Sequence, residues 1–274
     1  MNKKVYLSIL TIVTIAAIIL GVCIHILSPI GRWFGKDHTS DDLSAAATTS
    51  ETLDAFDTIY IDTNVSDITI TTGDDYSIRY QANEQLIPQY AVSEGTLTIS
   101  QPDVDTDIIH LGISKTKCDI TITLPEDAAL SLIQADVNVG ELTVQNLNFD
   151  TFDCSQNVSE TTVSHCTINS LTVDSSTGTI TVEDTAFTNG DLSTSTGEIE
   201  VEDATFTTLK AKASTGDVDI HSRQSLDDYT IELSTSVGDV EMNDHSYKDG
   251  YHAMGSGSGK LEASTSTGDV TVTY

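Results

Sequence analysis

The chain has 274 residues, with 12 Lys and Arg against 42 Asp and Glu and a formal charge of -30. Four of those bases precede the first acid, Asp37, so residues 37–274 hold 8 bases against 42 acids, a net of -34. A body this acidic repels nucleic acid and anionic lipid headgroups, which sets aside a DNA- or RNA-binding role.

Residues 5–30 are almost wholly apolar and contain no Asp, Glu, Lys or Arg. Roughly 20 such residues cross a bilayer as a helix, so residues 1–36 read as a cytoplasmic stub and a single-pass transmembrane anchor. The apolar run is longer than the roughly 7–15 residues of a cleaved signal core. Leu20-Gly21-Val22-Cys23 is a poor lipoprotein box because Val22 is bulky. Lys3 and Lys4 nearly balance Arg32 and Lys36 by the positive-inside rule. The acidic, Thr-rich sequence beyond the helix decides the orientation, placing the C-terminal domain outside the cell at the membrane surface.

Residues 37–52 lack aromatics and sustained periodicity and are expected to be a flexible linker. Residues 53–124 carry strand-like runs without a fixed period, among them Phe56-Asp57-Thr58-Ile59-Tyr60-Ile61 and Ile120-Thr121-Ile122-Thr123-Leu124. They are expected to form an irregular β cap or the first coils of a stack. Cys118, Cys154 and Cys166 are an odd number and suggest no disulfide framework; they read as small buried residues.

Residues 125–274 contain no proline after Pro125 and are built on a repeat. The phrases Ser176-Thr177-Gly178-Thr179-Ile180-Thr181-Val182, Ser195-Thr196-Gly197-Glu198-Ile199-Glu200-Val201 and Ser214-Thr215-Gly216-Asp217-Val218-Asp219-Ile220 are spaced by 19 residues, and the period extends back to Ser159 and Gly140. It relaxes to 22 at Gly238 and to 30 at Gly268. The second and fourth residues after each glycine are mostly apolar and their neighbours polar, the alternation of a strand with one buried face. A further apolar position nine residues after the glycine, at Phe149, Ile168, Phe187 and Phe206, marks a second strand. Two short strands and two turns per unit make one coil of an all-β, parallel β-solenoid (β-helix). The glycine supplies a corner conformation that a Cβ would resist. An antiparallel sandwich is the competing architecture, but sandwich strands need not repeat one phrase.

The opening Phe56-Asp57-Thr58-Ile59-Tyr60-Ile61, the central Ile120-Thr121-Ile122-Thr123-Leu124-Pro125-Glu126-Asp127-Ala128 and the iterated Ser-Thr-Gly-Asp-Val phrase together resemble the bacterial putative-adhesin family of membrane-anchored β-strand-repeat proteins, the LiaG-like proteins among them. The likeness covers roughly residues 53–274. It implies a Gram-positive surface protein with a β-solenoid ectodomain, and it brings no catalytic residues to carry over.

Two groups of residues are candidates for contact with a ligand. Glu141, Glu160, Glu198, Asp217, Asp239 and Asp269 follow the repeat glycines, and a second strip adds Glu200, Asp219 and Glu241. Stacked at about 5 Å, like charges repel by about 0.8 kcal/mol per neighbouring pair at the dielectric of water. Such a ladder is either a solvated face or a collector of Ca²⁺, whose oxygen preference suits carboxylates. The nonapeptide of calcium β-rolls is absent, so no metal or cofactor is assigned. The widest insertion holds Asp244, His245, Tyr247, Asp249, Tyr251 and His252, followed by the flexible-looking Gly255-Ser256-Gly257-Ser258-Gly259, and is a candidate ligand loop. His38, His110, His165 and His221 are scattered and read as surface or turn residues.

The expected function is non-enzymatic: adhesion, cell-envelope interaction or an accessory role in envelope stress, with cell-wall polymer or envelope proteins as partners. A polysaccharide-acting β-helix enzyme and a modulator of a neighbouring membrane signalling protein are the alternatives. Coils of 19 residues leave almost no loop length to wall a catalytic cleft before Gly238.

Overall fold

The computed structural model describes residues 47–102, 118–248 and 250–274. The expected anchor, residues 1–36, most of the linker and Asp249 of the candidate loop lie outside the described residues. Among the described residues no helix is long and apolar enough to cross a membrane.

The described residues form twenty strands. The first seven are β1 (Ala47–Thr52), β2 (Thr58–Val65), β3 (Asp67–Thr72), β4 (Ser77–Ala82), β5 (Gln89–Ser93), β6 (Thr96–Ser100) and β7 (Cys118–Leu124). The repeat supplies β8 (Leu130–Gln145), β9 (Asn148–Ser164), β10 (Thr167–Thr177), β11 (Ile180–Glu183), β12 (Ala186–Thr196), β13 (Ile199–Thr215) and β14 (Val218–Ser222). The last six are β15 (Thr230–Val237), β16 (Val240–Met242), β17 (His245–Tyr247), β18 (Tyr251–Ala253), β19 (Lys260–Thr267) and β20 (Val270–Thr273).

Each coil contributes to two parallel ladders, as the repeat requires. Leu130 opposes Phe149, Thr167 opposes Ala186 and Ala186 opposes Thr205, so equivalent residues 19 apart lie in register. Several runs pass through a corner without a break: β9 and β13 each span 17 residues where two short strands were expected. Inward positions alternate with outward ones along the strands of the body. Ile133, Phe152, Leu171 and Leu209 share one interior column, and Val144, Val163, Val182, Val201 and Ile220 share another, all buried. Outward, equivalent side chains bond from coil to coil. Asn169 donates to Asp150 at 2.8 Å, Ser193 to Asp174 at 2.9 Å and Thr208 to Asn189 at 2.8 Å.

The stack does not follow chain order at either end. β2 lies between β6 and β8, so the coil formed by β2 and β3 separates the later β6 and β7 from the body. At the other end β19 pairs with both β13 and β15, and β20 with both β14 and β16. Residues 260–273 therefore sit between the coils of 205–222 and 230–242. The relaxed spacings of the last two glycines reflect this insertion: Gly268 stacks on Gly216, and Gly238 on Gly268.

Antiparallel strands close both ends and cover edges that would otherwise recruit another chain. β4 and β5 pair antiparallel to β7 and β6, and β17 and β18 to β16 and β15. Beyond β4 lies β1, in register from Ala47↔Ala82 to Thr52↔Ser77. This corrects the expectation of a linker running to Thr52. Its last six residues are an edge strand, held by backbone pairing that its polar sequence does not advertise.

Cys118, Cys154 and Cys166 are free and buried. Burial pushes Cys118 and Cys166 up to about 11 and Cys154 up to about 12, which keeps them protonated and inert at neutral pH.

Candidate functional site

The column after the glycines runs Asp67, Glu141, Glu160, Thr179, Glu198, Asp217, Asp269, Asp239. Its aspartates serve the backbone. Asp67 Oδ1 accepts the Glu141 N–H at 3.2 Å, Asp217 Oδ1 accepts the Asp269 N–H at 2.7 Å, and Asp269 Oδ1 accepts the Asp239 N–H at 2.8 Å. A short carboxylate can turn back onto the next coil's peptide, and that charge-assisted bond offsets part of the repulsion along the column. Glu141, Glu160 and Glu198 are exposed to solvent. Among the described residues no three His, Cys, Asp or Glu side chains are placed to hold a metal ion together.

In the second strip Thr271 separates Asp219 from Glu241. Asp219 is nevertheless raised above the usual carboxylate range, by burial first; the Thr271 hydrogen bond opposes this, and Asp217 and Asp269 add to it. The folded chain thus holds this proton more tightly than the unfolded chain, and ionising it costs stability as pH rises through the aspartate range. Asp219→Asn is expected to stabilise the fold at pH 7 by less than about 1 kcal/mol. The gain should vanish below about pH 3, where both side chains are neutral. Urea midpoints at the two pH values check this; equal gains at both would refute the assignment.

The candidate ligand loop is the C-terminal cap. Asn243 and Asp244, at φ 48° and 63°, form the tight turn between β16 and β17. Tyr247 and Tyr251 meet edge to face at 4.9 Å and pack on the core. His245 Nδ1 lies 2.8 Å from the Asn243 carbonyl, and His252 pairs across the ladder with Glu232. The glycine-serine segment that follows is fitted against its neighbours. The Gly257 N–H donates to Asp228 O at 2.9 Å, Ser256 Oγ to Asp228 Oδ1 at 2.6 Å, and Gly259 lies where a Cβ would meet the Tyr229 ring at 2.5 Å.

A different cluster forms at the second corner of the coils. Asn146, His165, Asp184 and Asp203 adopt left-handed backbone, with φ between 47° and 59°. Asn, Asp and His tolerate this conformation better than other side-chain-bearing residues. Their 19-residue spacing stacks them, and the groove beside them is a cavity of about 350 Å³ lined by His165, Cys166, Thr167, Asp184, Thr185, Ala186, Asp203, Thr205 and Arg223. Arg223 reaches past Asp203's coil to pair with Asp184 Oδ1, and His165 Nε2 lies 3.7 Å from the other Asp184 oxygen. His221 Nε2 lies 3.5 Å from Asp203, while its Nδ1 is 2.8 Å from Thr273 Oγ1. These side chains are about half exposed, so each can meet a ligand while its partner fixes its orientation. Of the histidines read from sequence as scattered, His165 lines this groove and His221 lies against Asp203, which also lines it. The available signal was an αL-tolerant residue six positions after the corner.

Comparison with known proteins adds the family. The solved structures resembling the chain include a "putative adhesin" of Bacteroides fragilis, 18% identical, covering 83% of this chain and 96% of its own, with TM-score 0.49. A "putative cell adhesion protein" of Clostridium sporogenes is 13% identical over 83% of this chain and 99% of its own, TM-score 0.45. A "putative lipid binding protein" of Parabacteroides distasonis is 12% identical over 84% and 97%, TM-score 0.42. Among curated proteins no sequence matches. The family model described as Toastrack DUF4097 matches residues 56–243 and 208–273, and the chain belongs to this family of β-strand-repeat proteins.

Proposed function

We propose that the protein is a membrane-anchored, extracellular, non-catalytic adhesion module of a Gram-positive cell that holds a polyhydroxylated envelope polymer in its second-corner groove. The observation that carries this reading is the convergence of His165, Asp184, Asp203 and Arg223 from successive coils around one cavity of about 350 Å³, with His221 set against Asp203, a size suited to a small ligand or one unit of a longer one. Carboxylates accept from vicinal hydroxyls, the guanidinium and imidazoles donate, and Ala186 with the methyls of Thr167 and Thr205 offers an apolar floor. The apolar run of residues 5–30 supports the anchor.

Titration calorimetry of the protein with cell-wall polysaccharide fragments tests it. Asp184→Asn with Asp203→Asn should weaken binding at least about tenfold, while Glu198→Gln, in the column behind the glycines, should leave it unchanged. Equal binding by all three proteins removes the groove from the reading, and no binding by any of them removes the reading itself.

A further inference from the structure

The interior of two adjacent coils departs from that of their neighbours. Gln156, Thr161 and Ser175 are 3%, 0% and 0% exposed. Both amide atoms of Gln156 and Ser175 Oγ have no hydrogen-bond partner, and Thr161 Oγ1 has only the weak Cys154 thiol beside it. The register shows how unusual this is. Gln156 stands in the column of Val137, Ser175, Thr194 and Ala213, and Thr161 stands between Leu142 and Ile180. Elsewhere in the first column a polar residue is satisfied by a corner glycine. Thr194 donates to Gly178 O at 3.3 Å, Thr265 to Gly216 O at 2.8 Å and Thr235 to Gly268 O at 2.8 Å. Ser175 and Gln156 make no such bond. The volumes compensate without the polarity doing so: Gln156 is longer than Val137, and Thr161 is shorter than Leu142 or Ile180.

Burying an amide and two hydroxyls with no partner or only a weak one is costly, and native interiors resolve such groups with protein or ordered water. We infer that these two coils enclose a binding site for ordered water, held by the Gln156 amide and the Thr161 and Ser175 hydroxyls inside the stack. The chemistry selects water over an ion. The Gln156 NH₂ group needs acceptors while its Oε1 needs a donor. A cation would leave the NH₂ unmet, and an anion would leave Oε1 unmet. Water supplies both, and two to four polar partners are what a buried water requires.

A crystal structure of the protein at about 1.5 Å decides the matter. Density for one or more waters within 3.2 Å of Gln156 and of Thr161 or Ser175 is the expected result. A dry interior, or Gln156 bonded directly to Thr161, Ser175 or the Cys154 thiol, overturns the inference. In Gln156→Leu the same density should be lost or displaced. Were that variant not to fold, slow-exchanging water seen by magnetic relaxation dispersion of the wild type gives a second readout, and the absence of any such water counts against the site.

Discussion

Gly197→Val should collapse the middle of the stack, with a loss of about 4 kcal/mol or more, at the upper end of what single substitutions do. Gly197 has φ 144°, and a Cβ built there would stand 2.1 Å from the Gly178 carbonyl oxygen and 2.6 Å from its carbon. Those atoms are backbone of the adjacent coil and are fixed by ladders on both faces, so they cannot swing aside as a side chain would. A β-branched residue adds strain of its own in a region that L residues avoid. Ser159 provides the contrast: it occupies the equivalent corner with a side chain, and its φ is not in the positive range. A corner without glycine thus needs a rebuilt backbone, which valine at 197 would have to force on coils already in register. Urea unfolding followed by circular dichroism measures the effect. A midpoint unchanged from wild type would show that the corner is softer than its geometry.

The second large effect is expected at Phe152→Ala, a loss of about 3–5 kcal/mol. Phe152 is fully buried and heads the largest such side chains. It faces Ile133 on one side and Leu171 on the other, and its ring meets Phe149 edge to face at 6.3 Å. Strands locked in parallel ladders cannot move inward to refill the space, so the cavity term should be near its maximum. The same column shows how the fold handles a missing side chain by design of sequence. At Gly190 the space is taken by the Phe187 ring, whose Cε2 would lie 2.6 Å from a Cβ there, and Phe187 stacks on Phe206 at 5.6 Å. Beside Phe152 the equivalent ring is Phe149, already packed on the core, and only by leaving that contact could it tilt into the space. Thermal melts compare the variant with wild type; a shift of under about 2 °C would mean that the core relaxes far more than a ladder-bound interior should.

The solenoid body was legible because its requirements are local and periodic. Gly140, Gly178, Gly197 and Gly216 each meet the same backbone contact, and each is followed by the same alternation, so one physical need is written repeatedly at one spacing. The ends were not legible, because nothing in the sequence around Gly268 distinguishes stacking on Gly238 from stacking on Gly216. Strand pairing between coils is set by a whole face, not by a local signal. β1 was missed for a related reason. Its sequence is mostly exposed in the fold and shows no buried face, and its partner, β4, lies far along the chain. Of the site, the acidic column follows from the repeat, but the role of its aspartates in bonding backbone amides depends on side-chain length and direction. The groove was hidden because its members look unrelated one by one: His165, Asp184 and Asp203 share only their place six residues after the corner, and Arg223 stands one residue off that place, past a shift in register.

The intercalated position of residues 260–273 bears on how such a protein is made and how it can change. During synthesis the coil of 205–222 emerges before the residues that will cover it, and 230–242 arrives before the layer on which it rests. The C-terminal third can therefore close only after the ribosome has released the later strands, whereas the coils from β8 to β12 can stack as they appear. Duplication of a 19-residue unit has the same geography. A new unit fits between Gly140 and Gly216, where each coil leads directly to the next, and lengthens the body by one layer. Placed after Gly216, it would interrupt a loop that must step over one layer and return to it.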